Sequence, residues 1–429
     1  MMKNEDYKPR IADEILADKL DAIGAVLIEG PKYCGKTTLA SQHAGSALYM
    51  ADPNSREQNM AMAQTNISRL LTGKTPRLID EWQLAPQFWD AVRGEVDKRN
   101  ADGQFILTGS AVPADSSGIF HTGTGRFSWL KLRTMSLCES GESSGDVSFA
   151  GLFRGNAEVD GASNIDIDTL AYLACRGGWP KATLKTRRKS ALMQADDYFE
   201  AVVRNDISRV DGTERDPELA RALMRSFARH QGMQTPLKTF IDDLTANGSK
   251  PVSETTLYSY INALKKIFVI EDSLAWNPNL RSKTAVRTTE TRYFSDPSIA
   301  TAALGLGPED LLNDLNTFGL VLETLCVRDL RVYADAIGGT VYHYRDKNGL
   351  ECDAVVHLKN GAYGLVEIKL GGDKLIEAGA STLKRLAEKI DISKMKSPSF
   401  LMVLTGIGQY AYRRPSDGVL VVPVGCLKN

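Results

Sequence analysis

Between about residues 10 and 150 the chain alternates helical stretches with short apolar runs that end in Gly or an acid: AVLIEG (25–30), SALYMADP (46–53), PRLIDE (76–81) and QFILTGS (104–110). Short buried strands separated by helices form a parallel sheet covered on both faces, so this part predicts α/β architecture. The stretch from Glu139 to Asp166 is rich in Ser, Gly and Asp and predicts a loop or boundary. Beyond it, LAYLACRGGWPKATLK, ALMQADDYFEAVVRNDISRV and PELARALMRSFARHQG carry apolar residues every three to four positions, the period of amphipathic helices. TPLKTFIDDLTANG and SETTLYSYINALKKIFVIEDSLAW follow, with Ser253 as an N-cap and Glu254 close behind. The run then turns strand-like, passes through polar NPNLRSKTAVRTTET and closes with RYFSDPSIATAAL, the helix, turn, helix and hairpin order of a winged helix-turn-helix. After residue 308 a long helix precedes the strands TVYHYRDKNG, ECDAVVHLKNG and AYGLVEIKLGG; a Lys- and Glu-rich helix and the strands SFLMVLTG and GVLVVPV complete a third, α/β unit. The pattern divides the chain at 1–164, 165–307 and 308–429.

A chain of 429 residues exceeds one ordinary core, which agrees with that division. A hydrophobic content of 43% and a charged content of 24% predict folded globular domains rather than extended disorder. With a net charge of −1, any nucleic-acid binding has to come from a local basic patch. Six scattered cysteines, with no CxxC pair, fit a reducing compartment, and no segment approaches the apolar length of a membrane span. The expectation is a cytoplasmic protein.

The sharpest chemical signal is Gly30-Pro31-Lys32-Tyr33-Cys34-Gly35-Lys36-Thr37, followed by Thr38, directly after an apolar run and at the start of a helical one. Glycines at these spacings let backbone N–H groups wrap a phosphate at a helix N-terminus. Lys36 then meets the β- and γ-phosphates, and the Thr37 hydroxyl ligates Mg²⁺. Downstream, Leu78-Ile79 ends in Asp80-Glu81, expected on a strand beside the P-loop strand: Asp80 as the metal partner and Glu81 as the base that orients and deprotonates the attacking water. Thr108 or Ser110, ending QFILTGS, is placed to touch the γ-phosphate or the water, and Arg126 of TGTGRF to reach a phosphate in its own or a neighbouring subunit.

Taken in order, YKPR, GPKYCGKTTL, LIDEWQ, ILTGS, GTGRF, GGWP, YFEAVVRNDI, RYFSDPSIA, FGLVLE and YRDKNGLECDAVV resemble the bacterial and archaeal ATPases in which an AAA-type P-loop domain precedes a C-terminal DUF4143 domain. The resemblance implies ATP binding by Gly30, Gly35, Lys36 and Thr37, with Asp80 and Glu81 completing the site. Two departures are Lys32, where such proteins commonly carry Arg, and His121 with its Thr neighbours before Gly125.

In the middle segment, Ser253 to Ile270 reads as the recognition helix, exposing Ser259, Asn262, Lys265 and Lys266; the wing carries Arg281, Lys283, Arg287 and Arg292, which suit phosphate contact with DNA. In the last segment, Asp353, Glu367 and Lys369, with Glu323 on the preceding helix, look like a PD-(D/E)xK nuclease arrangement in which Asp353 and Glu367 hold a metal and Lys369 positions water. The leading expectation is an Mg-dependent ATPase using ATP and Mg²⁺ as a nucleotide-driven switch on DNA or a protein partner. The alternatives are a regulatory ATP-binding protein that docks a protein partner, and an ATP-gated metal-dependent nuclease.

Overall fold

The computed structural model describes residues 7–109, 122–155, 158–248, 251–278 and 289–429. They form two compact units: Met1–Thr134 with Arg204–Arg215 and Tyr260–Phe268, and Met135–Val203 with Asp216–Ser259 and Val269–Asn429.

The first unit is built on a parallel sheet. Its elements are α1 (Ile11–Ala22), β1 (Ala25–Glu29), α2 (Lys36–His43), β2 (Ser46–Tyr49), α3 (Arg56–Thr65), β3 (Arg77–Asp80), α4 (Phe88–Arg99), β4 (Phe105–Gly109) and β5 (Phe127–Lys131). The five strands lie in the order β2-β3-β4-β1-β5. Every neighbouring pair is parallel.

Strand alternation explains why both faces are covered. Leu27, Phe105 and Leu107 point to one side and pack with Phe88, Trp89 and Val92 of α4. Val26, Ile28 and Ile106 point to the other and meet Leu16 and Leu20 of α1 and Leu39 of α2. The four apolar runs of the sequence are thus four of the strands. β5 carries no such run: Ser128 is half-buried, and Trp129 and Lys131 are exposed on this edge strand. β3 is not beside β1, as the sequence suggested; β4 separates them.

The second unit contains a seven-stranded mixed sheet in the order Gly161–Ala162, Tyr410–Arg413, Leu420–Pro423, Phe400–Thr405, Tyr363–Lys369, Glu351–Leu358 and Gly339–Arg345. Val355, Leu365 and Val403 pack on Ala380, Leu383 and Leu386 of the helix Asp373–Lys389. The Ser- and Gly-rich stretch expected as a loop contributes Gly161–Ala162 to this sheet, and its Val147–Ser148 pairs in parallel with Leu427–Lys428. Helices Pro217–Arg229, Leu237–Ala246 and Glu254–Lys266 follow one another, and antiparallel bridges then join Ile270 to Phe294 and Ser273 to Thr291.

A buried ionic network ties the second unit together. Arg328, on the helix Leu315–Ala336, meets Asp296 at 3.2 Å and Asp329 at 2.6 Å, and all three side chains are at most 7% exposed. The carboxylates also accept backbone donors, Asp296 from Gly178 at 2.9 Å and Asp329 from Leu137 at 3.0 Å. At Gly177, φ is +70° and a Cβ would lie 2.2 Å from Asp296 Oδ1, so the GGWP turn needs glycine where it touches the SDPS carboxylate.

Removing the shared cation leaves two carboxylates buried. Arg328→Leu is expected to lower the unfolding free energy by about 3–5 kcal/mol. A urea titration followed by circular dichroism measures this, and a change under about 1 kcal/mol would show that the network contributes little.

Candidate active site

The loop between β1 and α2 wraps on itself at the carboxyl end of β1. Gly30 (φ +156°), Tyr33 (φ +63°) and Gly35 (φ +101°) all have positive φ. A Cβ on Gly30 would fall 2.0 Å from the carbonyl oxygen of Leu132, so this first position admits only glycine. Cys34 is buried and turns its thiol to that same Leu132 oxygen at 3.4 Å, while Tyr33 is 66% exposed. The loop is braced from behind by buried Arg10 of the YKPR segment, which donates to the Cys34 oxygen at 3.1 Å and the Arg133 oxygen at 3.0 Å. Pro31 is buried and Thr38 half-buried at the start of α2.

Three elements converge in front of the loop. The Lys36 ammonium is buried and donates to the Gly30 and Pro31 carbonyls at 2.9 and 2.8 Å. Thr37 and Thr108 each donate a hydroxyl to Asp80 Oδ1 at 2.6 Å. Although β4 lies between β1 and β3, Asp80 therefore reaches the P-loop threonine, and Thr108 of that intervening strand completes the contact. An aspartate oxygen beside a threonine hydroxyl is the hard-oxygen donor set that suits Mg²⁺. These two residues would hold it, and when bound it supplies charge neutralisation at the phosphates.

Glu81 follows in the left-handed conformation at φ +57°, with Gln83 donating a hydrogen bond to its carboxylate. Burial first, and then the Asp80 charge, raise the Glu81 carboxyl above the ordinary range, against the opposing pull of Lys36, Gln83 and Lys32. Lys32 itself meets Asp206 at 2.6 Å. Nothing in the sequence signals this partner, which lies 174 residues away.

Other expected residues stand apart. Arg126 lies at the amino end of β5, its oxygen accepting from Ala25 at 3.0 Å and its side chain paired with Asp97 at 2.7 Å. In parallel strands that is the end of the sheet opposite to the P-loop of its own chain. Ser110 and His121 lie outside the described residues, as do Arg281, Lys283 and Arg287 of the wing. Arg292 packs over Phe240 at 5.6 Å and donates to the Thr235 oxygen at 3.3 Å. Along the expected recognition helix, Lys266 is exposed, Ser259, Asn262 and Lys265 are half-buried, and Tyr260, Ile261, Ala263 and Leu264 are buried.

The C-terminal cluster is assembled, but closed. Lys369 bridges Asp353 at 3.1 Å and Glu367 at 2.6 Å, and Asp353 also accepts from the Ile368 N–H at 2.7 Å. Burial and the Asp353 charge push the Glu367 carboxyl up to about 8 despite Lys369. Glu323 accepts from the Tyr293 hydroxyl at 2.6 Å, and burial and Asp353 hold its carboxyl well above the usual range. Among the described residues no group of three or more His, Cys, Asp or Glu side chains stands ready to hold a metal. None of the described helices is long and apolar enough to cross a membrane.

An α/β domain with this parallel sheet, P-loop and acidic strand end has the fold of a P-loop ATPase domain. Residues 23–140 match the family described as AAA domain, residues 318–427 the family DUF4143 and residues 167–310 the family DUF8612, the latter two both domains of unknown function. The AAA match precedes the DUF4143 match, the domain order of the family that the sequence motifs resemble. It is 23% identical over 358 residues to the uncharacterized proteins Rv2008c of Mycobacterium tuberculosis and Mb2031c of Mycobacterium bovis, covering 80% of this chain and 70% of each relative. Among solved structures it is similar to the Walker-type ATPase PABY2304 of Pyrococcus abyssi, at 15% identity and a TM-score of 0.43, over 70% of this chain and 97% of that one. The Aeropyrum pernix ORC1 protein in complex with DNA matches at 12% identity and a TM-score of 0.26, over 73% of this chain and 97% of that one.

The left-handed backbone at Glu81 costs about 1–2 kcal/mol for a residue with a Cβ. Glu81→Gly is therefore expected to raise the unfolding free energy by about 1 kcal/mol, and Glu81→Val to lower it. Paired thermal melts decide the matter; a destabilised glycine variant would mean that the backbone there carries no strain.

Proposed function

We propose that the protein is an Mg²⁺-dependent ATPase that uses its nucleotide state as a switch. The observation that carries this reading is the junction at Asp80 Oδ1, which accepts hydroxyls from Thr37 and Thr108 at 2.6 Å each while Lys36 stands in the P-loop beside it. Backbone amides of the loop and Lys36 bind the phosphates, and Thr37 and Asp80 present the oxygens a divalent cation takes. Glu81 accepts the proton of the attacking water, and its partial burial favours a carboxyl that can take up that proton. Thr108 fixes the Asp80 rotamer and so holds the acidic pair in place.

Lys36→Ala is expected to abolish ATP affinity, and Glu81→Gln to retain binding while losing turnover by about 100-fold or more. Binding is read by calorimetry and turnover by phosphate release. Unchanged affinity in the first variant would remove the assignment of the loop; wild-type turnover in the second would place the base elsewhere. A wild type that binds ATP without releasing phosphate would instead favour a regulatory ATP-binding protein. Stimulation by duplex DNA is the test of a DNA partner for the helices between Pro217 and Lys266.

For the C-terminal domain the Lys369 bridge favours an internally neutralised cluster over an ATP-gated nuclease. Asp353 and Glu367 repel each other unless a cation lies between them, and the Lys369 ammonium supplies that cation. Calorimetry with Mn²⁺ should then show no binding at this cluster, and supercoiled DNA should stay intact with Mn²⁺ and ATP. Nicking that Lys369→Ala abolishes would restore the nuclease reading.

A further inference from the structure

Two lysines stand in the P-loop, and only one has a role so far. Lys36 is buried with its ammonium on loop carbonyls. Lys32, the third residue of the loop, has a side chain that is 40% exposed, and its ammonium lies 2.6 Å from Asp206 Oδ1.

Asp206 is held in a way that suits a parking place. It is 8% exposed and closes the π-helical turn Val202–Asp206, after which the chain resumes as the helical turn Ile207–Arg209. A π turn inserts one extra residue, which re-aims each following side chain by about 100°. Buried Arg215 then fastens the segment, donating to the Ile207 oxygen at 2.8 Å and to Asp211 at 2.7 and 2.9 Å. The whole stretch Arg204–Arg215 belongs to the ATPase unit although the residues on either side of it do not. Its acid thus meets the P-loop from a part of the chain remote in sequence.

We propose that Lys32 is a second catalytic cation that is stored on Asp206 while the site lacks a triphosphate and transfers to the terminal phosphate when ATP binds. This inference rests on the ATPase reading. In the reaction the water oxygen bonds to the γ-phosphorus, the bond from that phosphorus to the bridging oxygen breaks, and the electron pair leaves with ADP. The water proton passes to Glu81, and Lys32 stays protonated throughout, donating to the equatorial oxygens on which charge spreads. Asp206 is a positioning residue: it touches neither nucleotide nor water and acts only by competing for the ammonium. The Asp206 end of the pair is buried, but the Lys32 end is 40% exposed, so several phosphate oxygens can compete for the ammonium and offset the loss of one carboxylate contact. ADP lacks the terminal phosphate, so with ADP the pair re-forms, and the segment Arg204–Arg215 registers the difference between the two nucleotides.

The test compares the full-length wild type with Lys32→Met, Lys32→Arg and Asp206→Asn, using calorimetry with ATP and with ADP and steady-state phosphate release. Lys32→Met is expected to lower kcat by about 100-fold or more while leaving ADP affinity within about twofold, and Lys32→Arg to restore most of kcat. Asp206→Asn is expected to tighten ATP binding about twofold to fivefold with ADP affinity unchanged, because the competitor for Lys32 is gone. A merely structural pair would instead give weaker binding of both nucleotides in Asp206→Asn, and that result overturns the proposal. So does a kcat within about twofold of wild type in Lys32→Met, which would leave the ATPase reading standing. A wild type that neither binds nor hydrolyses ATP removes the ATPase reading itself, and this proposal with it.

Discussion

One carboxylate oxygen organises the first unit. Asp80 Oδ1 takes a hydroxyl from the P-loop helix and another from β4. Each donor comes from a different strand–helix junction, so the contact exists only if β1, β3 and β4 end at the same level. The sheet register secures this: Ile28 and Asp80 both lie opposite Thr108. Burial of the acid strengthens both hydrogen bonds and makes either partner costly to lose.

Around that point the candidate site is graded from buried to more exposed side chains. Gly30 is jammed against Leu132, Arg10 clamps the loop from behind, and Lys36 is buried. Glu81 sits in a strained conformation held by Gln83, and Lys32 is the more exposed of the two loop lysines. In the second unit the corresponding rigidity comes from the Arg328 network, which joins GGWP, SDPS and the long helix through buried charges.

Much of the candidate site was legible because it is local. The P-loop and the Asp80-Glu81 strand end are contiguous motifs, and four strands announce themselves as apolar runs. β5 escaped because an edge strand with Trp129 and Lys131 exposed has no continuous apolar signature. The place of β4 between β1 and β3, and the pairing of Val147–Ser148 with Leu427–Lys428, are settled by contacts across the chain that no local pattern records. Asp206 was unreadable for the same reason, and so was the choice of Thr108 over its neighbours as the hydroxyl that reaches Asp80. Of the residues expected on the open face of the recognition helix, Lys266 is exposed and Ser259, Asn262 and Lys265 are half-buried.

The discontinuity of the first unit bears on how the chain is made. When the ribosome has released residues up to Thr134, all five strands of the sheet have emerged, yet Arg204–Arg215 and Tyr260–Phe268 have not. The nascent domain therefore passes through an interval in which the P-loop exists without Asp206 opposite Lys32. The second unit waits longer still, since Val147–Ser148 finds its partner only when Leu427–Lys428 appears. Synthesis thus delivers the P-loop first and the acid that pairs with its Lys32 afterwards.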